Sequence, residues 1–244
     1  MLQGCLNGSR HQMDHPRLPV TPRELAADAR DVVLAGAGSL HIHPRDAAGN
    51  QTLAGPELAV SVAAVRTAVP GTEISVSTGA WIQPDPVRRV ELVRGWAGLA
   101  AGRPDLASVN VHEDGWQPLC TALYEARIGV ELGIWSLADA HRVTELGLPP
   151  GLRRVLIELP DIHGETAVDE AGRILDTLRL PEELPVLLHG ADRSAWPVLE
   201  EAVRRGLDSR IGLEDALLLP DGSPAEGNSD LFRTAVSLAE ARWA

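Results

Sequence analysis

The chain has 244 residues, of which 44% are hydrophobic and 23% charged, and its formal net charge at pH 7 is −12. This composition is typical of soluble globular proteins. The excess of acidic residues argues against nucleic acid or an anionic membrane as the main partner, because both bind clustered lysine and arginine. No apolar run approaches the ~18 residues of a membrane span, no export signal is visible, and two cysteines make no disulfide framework. We therefore expect a cytoplasmic protein with one domain over residues 1–244.

Short apolar segments and helical segments alternate along the chain. The first helix is the best marked, because Thr21 can cap it, Pro22 suits its first turn and Glu24 can complete a capping box. The predicted strands are an opening segment that ends near Asn7, a segment that ends before Pro44, and residues 73–77, 106–111, 130–135, 154–159, 185–189 and 209–213. The predicted helices are residues 22–35, 54–69, 84–96, 117–127, 137–146, 166–178, 194–205 and 223–241.

Eight strands, each followed by a helix, predict an α/β protein with the (β/α)8 TIM barrel fold. Several predicted strands are continuous apolar runs, as expected where both faces of a parallel strand are buried. The competing architecture is an open doubly wound sheet. That architecture does not require eight units, and no Gly-x-Gly-x-x-Gly fingerprint follows the first strand.

Polar residues concentrate where the predicted strands end. Active sites of this fold lie at the C-terminal ends of the strands, so this concentration indicates an enzyme. The polar residues at these ends are Asn7, His41, His43, Ser77, Thr78, Asn110, His112, Glu131, Glu158, His189, Glu214 and Asp215.

The segment His41-Ile42-His43 is the best candidate for half of a metal site. Side chains alternate between the faces of a strand, so both imidazoles share one face. Two such nitrogens suit a divalent ion, and Glu214 at the end of the eighth strand can supply a carboxylate from across the barrel mouth. The alternative is a pair of hydrogen-bonded rim histidines without a metal.

The segment from Arg210 to Asp215 is the second informative stretch. On an extended strand Arg210, Gly212 and Glu214 share one face, and Gly212 leaves room for a close approach. A purely structural alternative is an ion pair that closes the eighth strand onto the first.

Several segments in this order resemble the β-keto acid cleavage enzyme family. The two most specific are His-Ile-His-Pro-Arg-Asp at 41–46 and Arg-Ile-Gly-Leu-Glu-Asp at 210–215. Further matching pieces are residues 19–26 at the first helix, 35–37 before the histidine strand, 77–79 and 108–110. The resemblance extends along nearly the whole chain and implies a (β/α)8 barrel with zinc held by His41, His43 and Glu214.

The resemblance also implies a reaction and roles for further residues. A β-keto acid and acetyl-CoA would give acetoacetate and a new acyl-CoA through retro-Claisen chemistry. The family points to Arg210 and Asp215 for proton transfer, with Ser77 orienting them. Arginine is too basic to act as a base unaided, so Asp215 is the expected proton acceptor and Arg210 the charge stabiliser. The expected substrate contacts are Asn7, Thr78, Asn110 and Glu131, and homo-oligomers are expected from the family.

This sequence departs from the family pattern at several places. The chain is shorter than many members, and His112-Glu113-Asp114 replaces the usual glycine-containing turn after Asn110. Residues 6–10 lack the acidic residue that the aminohexanoate enzyme uses to hold the substrate amine, so a different keto acid side chain is expected. Ala216 stands where the family commonly has asparagine.

Two other functions remain open at this point. A metal-dependent hydrolase of the amidohydrolase type also combines a barrel with His-x-His, but there the pair follows the first strand and the last-strand acid is an aspartate. A non-catalytic metal scaffold gives no reason for Arg210 and Asp215 to flank Glu214. The roles of His112, Glu158 and His189 are not decided by the sequence.

Overall fold

The computed structural model describes residues 1–243, so Ala244, the last residue of the predicted domain, lies outside the described part. The strands are β1 (Leu2–Cys5), β2 (Ser39–Ile42), β3 (Glu73–Ser77), β4 (Leu106–Asn110), β5 (Gly129–Ile134), β6 (Leu152–Leu159), β7 (Val186–Gly190) and β8 (Ser209–Ile211). The helices are α1 (Pro22–Leu34), α2 (Gly55–Ala68), α3 (Pro86–Gly95), α4 (Trp116–Glu125), α5 (Leu137–Leu146), α6 (Gly164–Thr177), α7 (Ala195–Arg205) and α8 (Asn228–Trp243). No helix among these combines the length and apolar character needed to cross a bilayer.

The strands form one parallel sheet that closes on itself. Neighbours follow chain order from β1 to β7, and β8 pairs with β1 in the register Gln3–Arg210. Closure between β7 and β8 rests on the bridge of Leu187 with Asp208, where Leu188 N–H donates to the Asp208 carbonyl at 2.9 Å. The predicted (β/α)8 TIM barrel is confirmed.

Local sequence explains where the elements begin and end. Thr21 and Glu24 form the predicted capping box at α1, because Thr21 Oγ1 accepts from the Glu24 amide and the Glu24 carboxylate accepts from the Thr21 amide. Gly206 ends α7 in the left-handed region at φ +69°, a conformation that only glycine adopts without strain. Apolar side chains between the helices and the outer face of the barrel form the core.

The interior of the barrel contains a buried polar layer. Glu131 Oε1 accepts from Arg154 Nε at 2.6 Å and from Gln3 Nε2 at 3.2 Å, and Arg154 also contacts Glu73. Gln3 donates to Ser39 as well. Because buried charges need partners, Arg154 and Glu131 compensate each other below the mouth of the barrel.

The eighth strand ends two residues earlier than the sequence predicts. It stops at Ile211, and the Gly212 carbonyl accepts from the amides of Asp215 and Ala216 in a tight turn. A Cβ on Gly212 would lie 1.9 Å from the Cys5 carbonyl oxygen, so only glycine allows this approach to β1. The predicted shared strand face of Arg210 and Glu214 is therefore wrong, and the turn instead brings both acids of 214–215 back towards Arg210.

Asn228 joins four parts of the barrel mouth. Its Oδ1 accepts from the Leu213 amide at 2.6 Å, and its Nδ2 donates to the Leu6 carbonyl at 2.7 Å and to the Asp28 carboxylate. The residue is buried. It thus ties the ends of β1 and β8 to α1 and to the start of α8.

Replacing Asn228 with alanine is expected to lower the free energy of unfolding by roughly 2–4 kcal/mol, because it leaves the buried Leu213 amide and Leu6 carbonyl without partners. Urea denaturation of wild type and Asn228→Ala measures the change. Ser229→Ala on the same helix is the control and should change the free energy by less than about 0.5 kcal/mol. Equal effects of the two substitutions would contradict the role of Asn228.

Asp28 should make stability depend on pH. Burial raises its pKa to about 7, and the hydrogen bond from Asn228 only partly opposes this. The folded protein therefore keeps a proton that the unfolded chain loses near pH 4, and stability falls as pH rises from about 4 to 7. Asp28→Asn should remove this decline, which thermal unfolding across pH 4–8 measures. Asp169→Asn, at an exposed aspartate on α6, should keep it, and a decline that persists in Asp28→Asn would contradict the assignment.

Candidate active site

A cavity of about 470 Å³ opens at the C-terminal ends of the strands. Its wall is formed by Ser9, Arg10, His41, His43, Ser77, Trp81, Ser108, Asn110, Trp135, Leu156, Glu158, Ala191, Asp192, Arg210, Glu214 and Asp215. The three residues predicted as metal ligands and the three predicted for catalysis all lie on this wall.

His41, His43 and Glu214 point one atom each at a common point. The two Nε2 atoms are 3.2 Å apart, and Glu214 Oε1 lies 3.6 Å from His43 Nε2 and 3.9 Å from His41 Nε2. A tetrahedral ion with bonds of about 2.0–2.1 Å places neighbouring ligand atoms about 3.3–3.4 Å apart. The three atoms therefore have the separations of a small divalent metal site.

Hydrogen bonds on the far side of each ring fix which nitrogen is free. Ser75 gives its hydrogen to Glu131, so its Oγ accepts from His41 Nδ1 at 3.1 Å. Gln51 Oε1 accepts from His43 Nδ1 at 2.6 Å and also from Trp81 Nε1. Both protons thus sit on Nδ1, and two Nε2 lone pairs face each other. That arrangement is repulsive unless a cation lies between them, so the residues fit a metal ion.

The charge state of these ligands also suits a metal. Burial lowers the pKa of His41 to about 4, although Glu214 opposes the shift. Burial alone would raise the pKa of Glu214, but Arg210 and the two histidines overcome it and hold that pKa well below its usual range. Glu214 Oε2 is buried without a hydrogen-bond partner in the described chain. Gly8 leaves room for the Glu214 side chain, because a Cβ on residue 8 would lie 2.4 Å from Glu214 Cγ.

Arg210 and Asp215 stand beside the three candidate ligands. Arg210 Nη2 donates to Asp215 Oδ1 at 2.7 Å and to Glu214 Oε1 at 2.9 Å, and Arg210 Nε donates to His189 Nδ1 at 3.1 Å. Burial raises the pKa of Asp215 to about 7, with Arg210 opposing and Glu214 adding to the shift. Asp215 Oδ2 is buried and has no partner within the described residues, so one carboxylate oxygen is free.

The four residues predicted to contact the substrate differ in their position relative to the cavity wall. Asn110 lies on the cavity wall, where its Oδ1 accepts from Trp135 Nε1 at 3.1 Å. Asn7 lies behind the wall, because its Oδ1 and Nδ2 bond the amide and carbonyl of His43 at 2.8 and 2.9 Å. Both polar atoms of its side chain are thus used to fix the His43 backbone rather than to meet a substrate.

Thr78 and Glu131 also lie behind the wall. Thr78 Oγ1 donates to the Ser108 carbonyl at 2.5 Å, and the residue is buried. Glu131 belongs to the interior polar layer; it accepts from Ser75, and its Oε2 lies 3.9 Å from His41 Nδ1. Ser77, predicted to orient the acid and base pair, lies on the wall, and its Oγ accepts from the Gly79 amide at 3.2 Å.

Sequence reasoning missed several residues of the site. Ser75 lies two residues before Ser77 and pairs with His41 in the strand register, so strand alternation could have found it. Gln51 follows β2 in a loop and gave no signal. Arg10 donates to the Glu214 carbonyl at 3.3 Å and to Asp192 at 2.6 Å.

Removing the Ser75 hydroxyl should weaken metal binding without removing a ligand. Ser75→Ala leaves His41 Nδ1 without its acceptor, so we expect about a 10- to 100-fold lower metal affinity with one ion still bound per chain. Competition with a chromogenic chelator measures the affinity. Ser108→Ala, on the cavity wall and away from the ligands, is the control and should keep the wild-type affinity. An unchanged affinity in Ser75→Ala would show that Ser75 does not orient His41.

Solved structures of other proteins share this fold. ObcA bound to oxaloacetate superposes with a TM-score of 0.72 at 16% identity over 94% of this chain, which spans only 65% of ObcA. A ternary complex of ObcA with a C4-CoA adduct and oxalate gives the same TM-score at 17% identity. The type I 3-dehydroquinate dehydratase of Clostridium difficile gives a TM-score of 0.65 at 9% identity, with 99% of this chain and 91% of that chain covered. At these identities the likeness shows the fold.

Comparisons of sequence show the family as well as the fold. The 3-keto-5-aminohexanoate cleavage enzyme of Acetoanaerobium sticklandii is 21% identical over 259 residues, covering 98% of this chain and 91% of the relative. The model of one family, described as beta-keto acid cleavage enzyme, matches residues 1–242. The chain therefore belongs to the β-keto acid cleavage enzymes, a family of enzymes that cleave C–C bonds, as the resemblance in its sequence predicts.

Proposed function

We propose that the protein is a zinc-dependent β-keto acid cleavage enzyme that uses acetyl-CoA as its second substrate and forms acetoacetate and a new acyl-CoA. One observation carries the proposal: Asp215, whose Oδ2 has no hydrogen-bond partner among the described residues, lines the same cavity as the convergent His41, His43 and Glu214. Family membership supports the cleavage of a β-keto acid, and the ObcA complex with a CoA adduct supports a CoA thioester in a related barrel.

The donor set favours zinc. Two imidazole nitrogens and one carboxylate are common zinc ligands in catalytic sites, where a further position stays open for substrate. When bound by His41, His43 and Glu214, the ion supplies a Lewis acid for the keto oxygen and carboxylate of the substrate. Glu214 remains anionic for this purpose because Arg210 and both histidines stabilise its charge.

Asp215 takes the proton in the first step. Its Oδ1 is held by Arg210 at 2.7 Å, and its Oδ2 has no partner among the described residues and is therefore the oxygen that can accept a proton. Oδ2 accepts a proton from C2 of the β-keto acid, the carbon between the keto group and the carboxylate. Arg210 remains protonated, since two carboxylates contact its guanidinium, and it stabilises the negative charge that develops beside it.

The remaining steps exchange one C–C bond for another. The electron pair left on C2 attacks the thioester carbonyl of acetyl-CoA, a C–C bond forms, and CoA leaves as a thiolate. The thiolate adds to the keto carbon, the original bond between C2 and that carbon breaks, and Asp215 returns its proton to C2. Acetoacetate and the new acyl-CoA result, with atoms and protons balanced.

Other residues position these groups. Ser77 lies on the wall within the same cavity and orients the acid and base pair, and Asn110 contacts the substrate. Asn7, Thr78 and Glu131 act from behind the wall, through His43, the Ser108 backbone and Ser75 respectively. A cytoplasmic location, expected from the composition, and a homo-oligomeric state, expected from the family resemblance, remain part of the proposal.

The proposal predicts acetoacetate from acetyl-CoA and at least one β-keto acid when the protein carries zinc. Asp215→Asn removes the proton acceptor at constant shape, so we expect kcat to fall about 10²- to 10⁴-fold. Coupled detection of acetoacetate measures the rate, and elemental analysis checks that the variant still holds one metal ion per chain. Asp169→Asn, an exposed aspartate on α6, should behave as wild type.

Absence of acetoacetate with every β-keto acid, in protein that holds one metal ion per chain, would contradict the proposal. A hydrolase of the amidohydrolase type would then be the next candidate, and a panel of esters and amides would test it.

A further inference from the structure

Another cavity lies at the N-terminal ends of the strands, at the opposite end of the barrel from the candidate active site. This N-terminal cavity has a volume of about 680 Å³, within the range typical of small-molecule sites. Its wall is formed by the segments before β3, β4 and β5 and by the start of β6. Strands of five or six residues are roughly 16–20 Å long, so a ligand bound here lies far from the candidate metal ligands.

Four arginines and two acidic residues line the N-terminal cavity. They are Arg66, Arg103, Arg127, Arg153, Glu73 and Asp105. The chain as a whole carries a net charge of −12, so this wall has the opposite sign of charge from the rest of the protein. A concave surface with excess positive charge attracts anions.

Both carboxylates of this wall already have partners. Asp105 Oδ2 accepts from Arg66 Nη2 at 3.0 Å and from the Ile74 amide at 2.9 Å. Glu73 accepts from Arg154, which belongs to the interior polar layer of the barrel. Neither acid is therefore available to neutralise the other arginines of the cavity.

The other three arginines have no partner in the part of the chain that the structure describes. Arg103, Arg127 and Arg153 donate no side-chain hydrogen bond and form no ion pair there, in contrast to the pair of Arg66 with Asp105. Arg103 is half-buried, and the other two are exposed. Three guanidinium groups on one cavity wall are thus accessible from solvent and carry charges that the chain does not compensate.

Arg127 occupies a backbone position that favours glycine. It follows α4 with φ +58°, its amide donates to the Tyr124 carbonyl at 3.0 Å, and the Ile128 amide donates to the Leu123 carbonyl at 2.9 Å. These two bonds form a Schellman motif, in which the left-handed residue is usually glycine because a Cβ is strained there. An arginine at this position places a guanidinium on the cavity wall at a cost in stability that glycine would avoid.

The spacing of the three arginines favours linked phosphate groups over a single one. Arg103 and Arg127 lie shortly before β4 and β5, and Arg153 is the second residue of β6. Neighbouring strands stand about 4.8 Å apart, so these three backbone positions span roughly 10 Å. Gly129 leaves room for the Arg153 side chain, because a Cβ on residue 129 would lie 2.4 Å from Arg153 Cγ. A chain of phosphates matches this span better than one phosphate group does.

We propose that the N-terminal cavity binds a ligand with two or more linked phosphate groups, held by Arg103, Arg127 and Arg153. The planar guanidinium group donates two parallel hydrogen bonds to a pair of phosphate oxygens, which suits it to such a ligand. A free phosphate chain and the diphosphate of a nucleotide share this chemistry. The inference goes beyond the proposed function, because a ligand at this end of the barrel is not a substrate of the candidate active site.

Calorimetry of the zinc-loaded protein with inorganic pyrophosphate tests the proposal. We expect the wild type to bind, and Arg127→Gly and Arg153→Gln each to bind about tenfold or more weakly, because each loses one charge-assisted contact. Arg173→Gln removes the same charge from an exposed pair with Glu170 on α6 and should keep the wild-type affinity. Elemental analysis checks that pyrophosphate leaves the zinc content of the protein unchanged.

The Arg127→Gly variant also separates loss of binding from loss of folding. Glycine relieves the strain at the end of α4, so we expect Tm to rise by about 2–4 °C while the affinity for pyrophosphate falls. Opposite changes in stability and affinity support a binding role of the arginine side chain.

Two results would overturn the proposal. One is no binding of pyrophosphate at about 1 mM, as expected if a second copy of the chain covered the cavity. The other is equal affinity in the wild type, Arg127→Gly and Arg153→Gln, which would place the anion elsewhere, such as at the zinc ion. If the arginines do bind pyrophosphate, ADP identifies the source of the phosphates: tighter binding of ADP indicates a nucleotide, and weaker binding indicates a free phosphate chain.

Discussion

The guanidinium of Arg210 is the interaction on which the site depends. It is buried at the end of the barrel, and it donates to Glu214, Asp215 and His189 at once. Two adjacent carboxylates in a site of low polarity cannot both keep a charge unless a cation lies against them. Arg210 therefore keeps Glu214 anionic, while one oxygen of its neighbour Asp215 has no partner among the described residues. The different roles proposed for Glu214 and Asp215 follow from this difference between the two carboxylates.

The turn at Gly212 allows both carboxylates to contact Arg210. If β8 continued to residue 213, Glu214 and Asp215 would point to opposite faces, and only one of them would reach Arg210. The turn brings both carboxylates to one guanidinium because Gly212 has no Cβ to collide with the Cys5 carbonyl. A backbone constraint at one residue thus determines which chemical groups share the cavity.

Much of the fold, and the residues that converge as candidate metal ligands, could be predicted from the sequence. Eight repeats of strand and helix signals fix the barrel, and strand alternation places His41 and His43 together because the side-chain period of a strand is two residues. The distance of a residue below the rim of the barrel could not be predicted in the same way. Glu131 is the third of six residues in β5, so it lies below the rim, whereas the residues after Ile134 reach it. Asn7 and Thr78 lie near the rim, as expected from their positions at the strand ends. Their side chains, however, form hydrogen bonds with backbone atoms that follow or belong to neighbouring strands, and no pattern in the sequence shows such bonds.

Closure of the barrel between β7 and β8 has a consequence for how the protein moves. Among the described residues, only two backbone hydrogen bonds make this connection, and both involve Asp208, the residue before β8. Towards the rim the connection continues through side chains, from Ser209 to the Leu188 carbonyl and from Arg210 to His189. The contact between Arg210 and His189 therefore both connects β8 to β7 and belongs to the candidate active site. Separation of these two strands would therefore also break the hydrogen bond from Arg210 to His189, so the closure of the barrel and the position of the guanidinium depend on each other.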